Sequence, residues 1–90
     1  YPHGGIIATI ADGAMGRIAN AHAQKHGKRV VTSNLNVHYL ATTTDDELIA
    51  TGSIIKEGRT VIVAECTVTD STGRELAFAT ATFQLITPRT

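Results

Sequence analysis

The sequence predicts an α+β domain in which one long helix lies against a curved antiparallel sheet of about four strands. Three observations predict it. Apolar residues recur at helical spacing near the start, where Ile6, Ile10, Ala14 and Ile18 are flanked by Ile7, Ala11 and Met15. From Arg29 onward the period changes to two, in four segments separated by turn residues. The lengths also match, since a strand of about ten residues spans ~33 Å and a helix of about twenty spans ~30 Å. A helix as long as the strands packs along them, and the expected arrangement is a meander curled around it.

Taken in order, Tyr1-Pro2 reads as extended chain, because proline disfavours helix in the residue before it. The helix is expected from Gly4 or Gly5 to about His22. The paired glycines at its start permit a tight turn and a close approach to a ligand. Many of its residues are small, among them Ala8, Ala11, Ala14, Gly16 and Ala19, so it can lie close to its neighbour. His26-Gly27-Lys28 supplies the stop, with Gly27 as a left-handed cap and basic groups at the negative helix end. The first strand runs from Arg29 to Leu40, where Val31, Leu35, Val37 and Tyr39 alternate with Thr32, Asn34, Asn36 and His38. A polar loop covers 41–46. The second strand is Glu47 to Lys56, Glu57-Gly58-Arg59 reverses the chain, and the third strand is Thr60 to Thr69. Asp70 to Gly73 is a turn by composition, the fourth strand runs from Arg74 to about Ile86, and 87–90 is a polar tail.

Ninety residues make a single domain. Hydrophobic content of 42% excludes disorder, and aromatic content of 4% means a core of Ile, Val, Leu and Ala. Such a thin core leans on oligomerisation, as do sheet edges left open, so a dimer is expected. The formal net charge is +0 with no basic stripe, which argues against nucleic acid as a partner. Cys66 is the single cysteine, which rules out an internal disulfide framework and suits a reducing, cytoplasmic compartment. Its alternation with Ala64 and Val68 makes it a core thiol. No secretory leader and no apolar run of membrane-spanning length is evident, so no membrane association is expected.

Asp12 breaks the pattern. Aspartate is a poor helix former, and Gly13 beside it costs about 1 kcal/mol relative to alanine in a helix interior. Its one-turn neighbours are small or apolar: Ala8, Thr9, Met15 and Gly16. Local rules broken without local gain mark candidate functional positions. At the helix start the first amide N–H groups lack intrahelical partners and the dipole is positive, a place suited to developing negative charge. His22 and His26 stand at i,i+4, a spacing that metal pairs use. No carboxylate lies near them in sequence, so a solvated helix end is preferred and no metal is expected.

These residues resemble the hot-dog-fold thioesterases of the PaaI-like, phenylacetate-pathway group. The match is carried by His3-Gly4-Gly5, by Ala11-Asp12 and Ala14, and by the strand Val31-Thr32-Ser33-Asn34-Leu35-Asn36-Val37-His38-Tyr39-Leu40. Lys56-Glu57-Gly58-Arg59, the Asp70 to Gly73 turn and Ala79-Thr80-Ala81-Thr82-Phe83 extend it over essentially the whole chain. The resemblance implies hydrolysis of an acyl-CoA thioester, with coenzyme A entering as part of the substrate and no separate cofactor. It implies homodimers with a continuous sheet, often paired into homotetramers. Gly4 matches the glycine whose amide polarises the thioester carbonyl, Asp12 the catalytic carboxylate, and Thr32 a residue that positions the attacking water. His3 and Gly5 flank the substrate in the motif, and Arg59 is placed to reach a coenzyme A phosphate. In such dimers the glycine of one subunit faces the carboxylate of the other. Family members usually carry a preceding segment with a first strand, which this chain is expected to lack. Gly13 also departs from the Thr, Ser or Asn common after the aspartate.

Two other functions compete. A non-catalytic hot-dog module would bind acyl-CoA or assemble without turnover. A hydratase of the same fold would need a histidine four or five residues after Asp12, and positions 16 and 17 are Gly16 and Arg17.

Overall fold

The computed structural model describes residues 3–42 and 47–87. The readings made for Tyr1-Pro2, for 43–46 and for 88–90 lie outside the described residues. One helix, α1 (His3–Gln24), is followed by four strands: β1 (Arg29–Tyr39), β2 (Leu48–Glu57), β3 (Val61–Asp70) and β4 (Glu75–Ile86). Each strand boundary falls within a residue of the expected one, and α1 starts slightly earlier and ends two residues later.

The helix ends as the sequence dictates. Gly27 takes φ 69°, and the N–H groups of Lys28 and Gly27 donate to the carbonyls of Ala23 (2.9 Å) and Gln24 (3.1 Å). These two bonds satisfy carbonyls that the helix would otherwise leave open, in a geometry that disfavours any residue with a Cβ at position 27.

The sheet is antiparallel throughout, but its order is β1-β4-β3-β2 rather than a simple meander. Only β2, β3 and β4 follow one another in space, and β1 pairs with β4 at the opposite edge. The reason is burial. On β3 and β4 every helix-side position from Ile62 to Val68 and from Ala77 to Phe83 is fully or nearly fully buried, so these strands take the centre. The more polar β1 and β2 take the edges.

Against that centre α1 lays Ile7, Ala11, Met15, Ala19 and Ala23, four residues apart and all buried. Burial of side chains the size of Met15 and Phe83 contributes about 1.5–3 kcal/mol each. Ile6, counted in the expected stripe, is instead 49% exposed, because it sits one position off this line. On β2 the missing side chain of Gly52 lets the helix come close. A Cβ there would stand 3.4 Å from Ile18 Cδ1 and 3.7 Å from the Ala14 carbonyl carbon.

Cys66 is buried on the helix side of β3 as expected. Burial pushes its thiol pKa up, with a backbone hydrogen bond from Thr51 pulling the other way. Asp70 is buried for a structural purpose: its Oδ1 accepts from Thr72 N (3.0 Å), Thr72 Oγ1 (2.6 Å) and Arg74 N (3.1 Å), closing the β3–β4 turn. Among the described residues no helix is long and apolar enough to cross a membrane.

Candidate active site

A break in β1 builds the site. Strict alternation from Val31 to Tyr39 would place Thr32 on the face opposite Leu35, Val37 and Tyr39. The pairing with β4 shifts register between Thr32 and Asn34, which leaves Ser33 as an extra residue in a bulge. Thr32 therefore pairs with Phe83 and Leu35 with Ala81, both on the buried, helix-facing side. Val31 pairs with exposed Gln84 and faces outward. The Ser33 hydroxyl fastens the bulge by donating to the Thr82 carbonyl at 3.1 Å.

Turned inward, Thr32 meets the irregular point of the helix. Its Oγ1 donates to Asp12 Oδ1 at 3.4 Å, a long hydrogen bond of the kind open active sites show before substrate tightens them. Asp12 is half-buried, and the pair opens onto a cleft of about 550 Å³ that also reaches Gly13, Gly16 and Phe83. A Cβ on Gly13 would meet nothing within 4 Å, and one on Gly16 would just touch Phe83 Cε1 at 4.0 Å. The cleft thus has a floor of small residues beside a carboxylate and a hydroxyl. That combination can hold a water and take its proton.

His3, Gly4 and Gly5 form the first turn of α1. The tight turn expected of the paired glycines is not made: both lie within the helix. Gly5 is exposed, and beyond its own helix turn a Cβ on it would meet nothing within 4 Å among the described residues. Thr9 Oγ1 donates back to the Gly5 carbonyl at 2.9 Å and fixes this first turn.

Arg59 is not brought to Asp12. It lines a separate cleft of about 460 Å³ at the C-terminal end of α1, with His22, His26, Lys28 and Glu57. Here one expectation is corrected. The carboxylate missing near His22 in sequence is supplied by β2, as Glu57 Oε1 lies 3.3 Å from His22 Nδ1. His22 also meets the His26 ring edge-on, with centroids 5.2 Å apart. A second bulge, between Ile54 and Lys56, places Glu57 opposite Ile62 on the helix side. Among the described residues no group of three or more His, Cys, Asp or Glu is arranged to hold a metal ion.

Phe83 beneath the cleft and Glu57 beside His22 were not singled out from sequence. The signal for the β1 bulge was present, in three consecutive polar residues, Thr32-Ser33-Asn34, inside an alternating strand.

Residues 1–77 match the family model described as the thioesterase superfamily. The chain belongs to that superfamily. A Halobacterium salinarum protein provisionally named an esterase is 43% identical over 67 residues, covering 73% of this chain and 44% of its own length. A crystal structure from Bacillus halodurans that contains CoA superposes with a TM-score of 0.88 at 38% identity. That match covers 93% of this chain and 55% of the Bacillus one. The PaaI protein of the E. coli phenylacetic acid degradation operon shares the fold, with a TM-score of 0.82 at 21% identity over 93% of this chain and 59% of that one. The chain thus has the hot-dog fold and spans about half the length of these relatives.

Proposed function

We propose that this thioesterase hydrolyses an acyl-CoA thioester to the free acid and coenzyme A, at a site shared between two copies of the chain. One observation carries the reading: a half-buried carboxylate in mid-helix, Asp12, is met across an open cleft by the Thr32 hydroxyl. The CoA held by the Bacillus halodurans relative supports the choice of thioester.

The main-chain N–H of Gly4 lies in the first turn of α1, where such groups have no intrahelical partner, and it polarises the thioester carbonyl. Water adds to the carbonyl carbon, and the displaced electron pair moves to the oxygen held by that N–H. Asp12 takes the proton of the water while the Thr32 hydroxyl orients the carboxylate. The carbon–sulfur bond then breaks, and the proton passes from Asp12 to the departing sulfur. In the competing route Asp12 itself attacks, and water opens the resulting mixed anhydride. His3 flanks the thioester, Gly5 leaves room for it, and Arg59 meets a coenzyme A phosphate.

Distance supports the sharing between copies. Gly4 and Asp12 are eight residues apart on one helix, roughly 12 Å along its axis, too far to act on a single carbonyl. Gly4 of one copy therefore serves Asp12 of another. Exposed Ile6, Leu35, Tyr39 and Leu40, at the helix start and on the β1 edge, supply apolar surface for such a homodimer. A homotetramer would pair two of these dimers, and the lone buried thiol suits a cytoplasmic setting.

The test is release of free coenzyme A from short, medium, long and aryl acyl-CoA thioesters. Asp12→Ala should lower kcat by about three orders of magnitude while coenzyme A binding holds. A single turnover in oxygen-18 water bears on the routes, since label in the Asp12 carboxylate arises only when water opens the anhydride at that carboxyl carbon. A folded, dimeric wild type that turns over none of the panel would sink the enzyme and leave an acyl-CoA-binding module.

A further inference from the structure

We infer that Arg17, Asn20 and Arg29 form an anion-binding subsite in the cleft of Asp12 and Thr32, which takes an anionic oxygen group carried by the substrate away from its thioester. This rests on the hydrolytic role of Asp12 proposed above. All three side chains line that cleft together with the catalytic pair. The chain as a whole is balanced, with 8 basic and 8 acidic residues, yet this cleft sets two guanidinium groups against one carboxylate. Neither Arg17 nor Arg29 pairs with a carboxylate among the described residues, and both are exposed where they line the cleft.

The chemistry of these groups names the ligand class. A guanidinium presents parallel N–H donors in a fixed fork that matches the two oxygens of a carboxylate or phosphate, and an amide adds a further donor. Arg17 and Arg29 come from different elements, α1 and the start of β1, so they can grip one anion from two sides. The path to them is clear. Gly13 and Gly16 lie on the cleft floor between Asp12 and Arg17, where side chains would stand in the way.

Distance bears on which anion it is. Arg17 is five residues beyond Asp12, about 7.5 Å along the helix axis. A short acyl chain ending in a carboxylate spans that interval. The nearest phosphate of coenzyme A is held off by the whole pantetheine arm, and Arg59 already stands in another cleft. A folded pantetheine could still deliver a phosphate, and the two sources share the same recognition chemistry.

The experiment compares four substrates, butyryl and glutaryl thioesters each carried on coenzyme A and on uncharged N-acetylcysteamine. Wild type, Arg17→Ala, Arg29→Ala and the double variant are assayed. Lys25→Ala, exposed at the helix end and outside both clefts, controls for loss of charge alone and leaves all rates unchanged. The expected result is a loss of about ten- to hundredfold in kcat/KM for the double variant, confined to substrates bearing the recognised anion. Loss for glutaryl on both carriers identifies an acyl carboxylate, and loss for both coenzyme A esters identifies a phosphate. Unchanged rates on all four, or equal losses that include neutral butyryl-N-acetylcysteamine, overturn the subsite. That neutral ester, assayed with Asp12→Ala, reports the hydrolytic role separately. Should wild type hydrolyse nothing, calorimetric binding of coenzyme A and of glutarate decides, and affinities equal in wild type and double variant overturn it.

Discussion

The two central strands and the two edge strands are built on the same period, but they spend it differently. On the helix side, β3 and the middle of β4 alternate without interruption, Ile62, Ala64, Cys66 and Val68 against Phe83, Ala81, Ala79 and Ala77, all buried. On β1 and β2 the alternation breaks once each, at Ser33 and at Ile55. Each break redirects a polar side chain toward the helix: Thr32 to Asp12 on one edge, Glu57 to His22 on the other. The uninterrupted stretches make the core, and the breaks at Ser33 and Ile55 border the clefts, while a third register shift, between Val68 and Thr69, lies beside the β3–β4 turn. The two edges differ again in what they leave unfinished. Glu57 finds its partner within the chain, whereas the Asp12–Thr32 pair faces an open cleft.

The comparison can be broken first at the centre. Ile62→Ala removes a fully buried side chain facing Phe83 and should cost about 3 kcal/mol of stability, read from urea unfolding. Whatever activity remains in the folded fraction should keep its KM, since Ile62 does not line the Asp12 cleft. A loss under 1 kcal/mol would mean that the sheet centre does not hold the fold. At the edge the balance reverses. Thr32→Val keeps the shape but removes the hydroxyl, so kcat/KM should fall about tenfold with stability within about 0.5 kcal/mol of wild type. An unchanged kcat would remove Thr32 from the chemistry and leave Asp12 to act alone.

The same division explains what could be read in the sequence. α1 and all four strands were legible because their patterns are local: every fourth residue on the helix, every second on the strands, with Gly27 to stop one and Gly58 to turn another. The strand order was not, because alternation states which face is apolar and says nothing of which neighbour covers an edge. Thr32 was legible as a candidate only through family resemblance. Its position in a regular strand points it away from Asp12, and the bulge that turns it depends on pairing with β4, a contact made 49 residues later between Ser33 and Thr82. Glu57 escaped for a similar reason, since 35 residues separate it from His22. Asp12 itself was legible as a fault in an otherwise good helix.

Gly13 sharpens the comparison with the smallest effect. Its position is an exposed helix interior where a Cβ would meet nothing within 4 Å, so no packing among the described residues demands glycine. Gly13→Ala should therefore stabilise the fold by up to about 1 kcal/mol through helix propensity and a more restricted unfolded chain. The added methyl would also stand on the floor of the cleft, beside Asp12 and on the way to Arg17. A higher Tm joined to a lower kcat/KM would show that stability has been given up at this position to keep the cleft open. A higher Tm with unchanged kcat/KM would instead place the substrate elsewhere along the cleft, over Gly16 and Phe83, and the track from Asp12 to Arg17 would have to be redrawn.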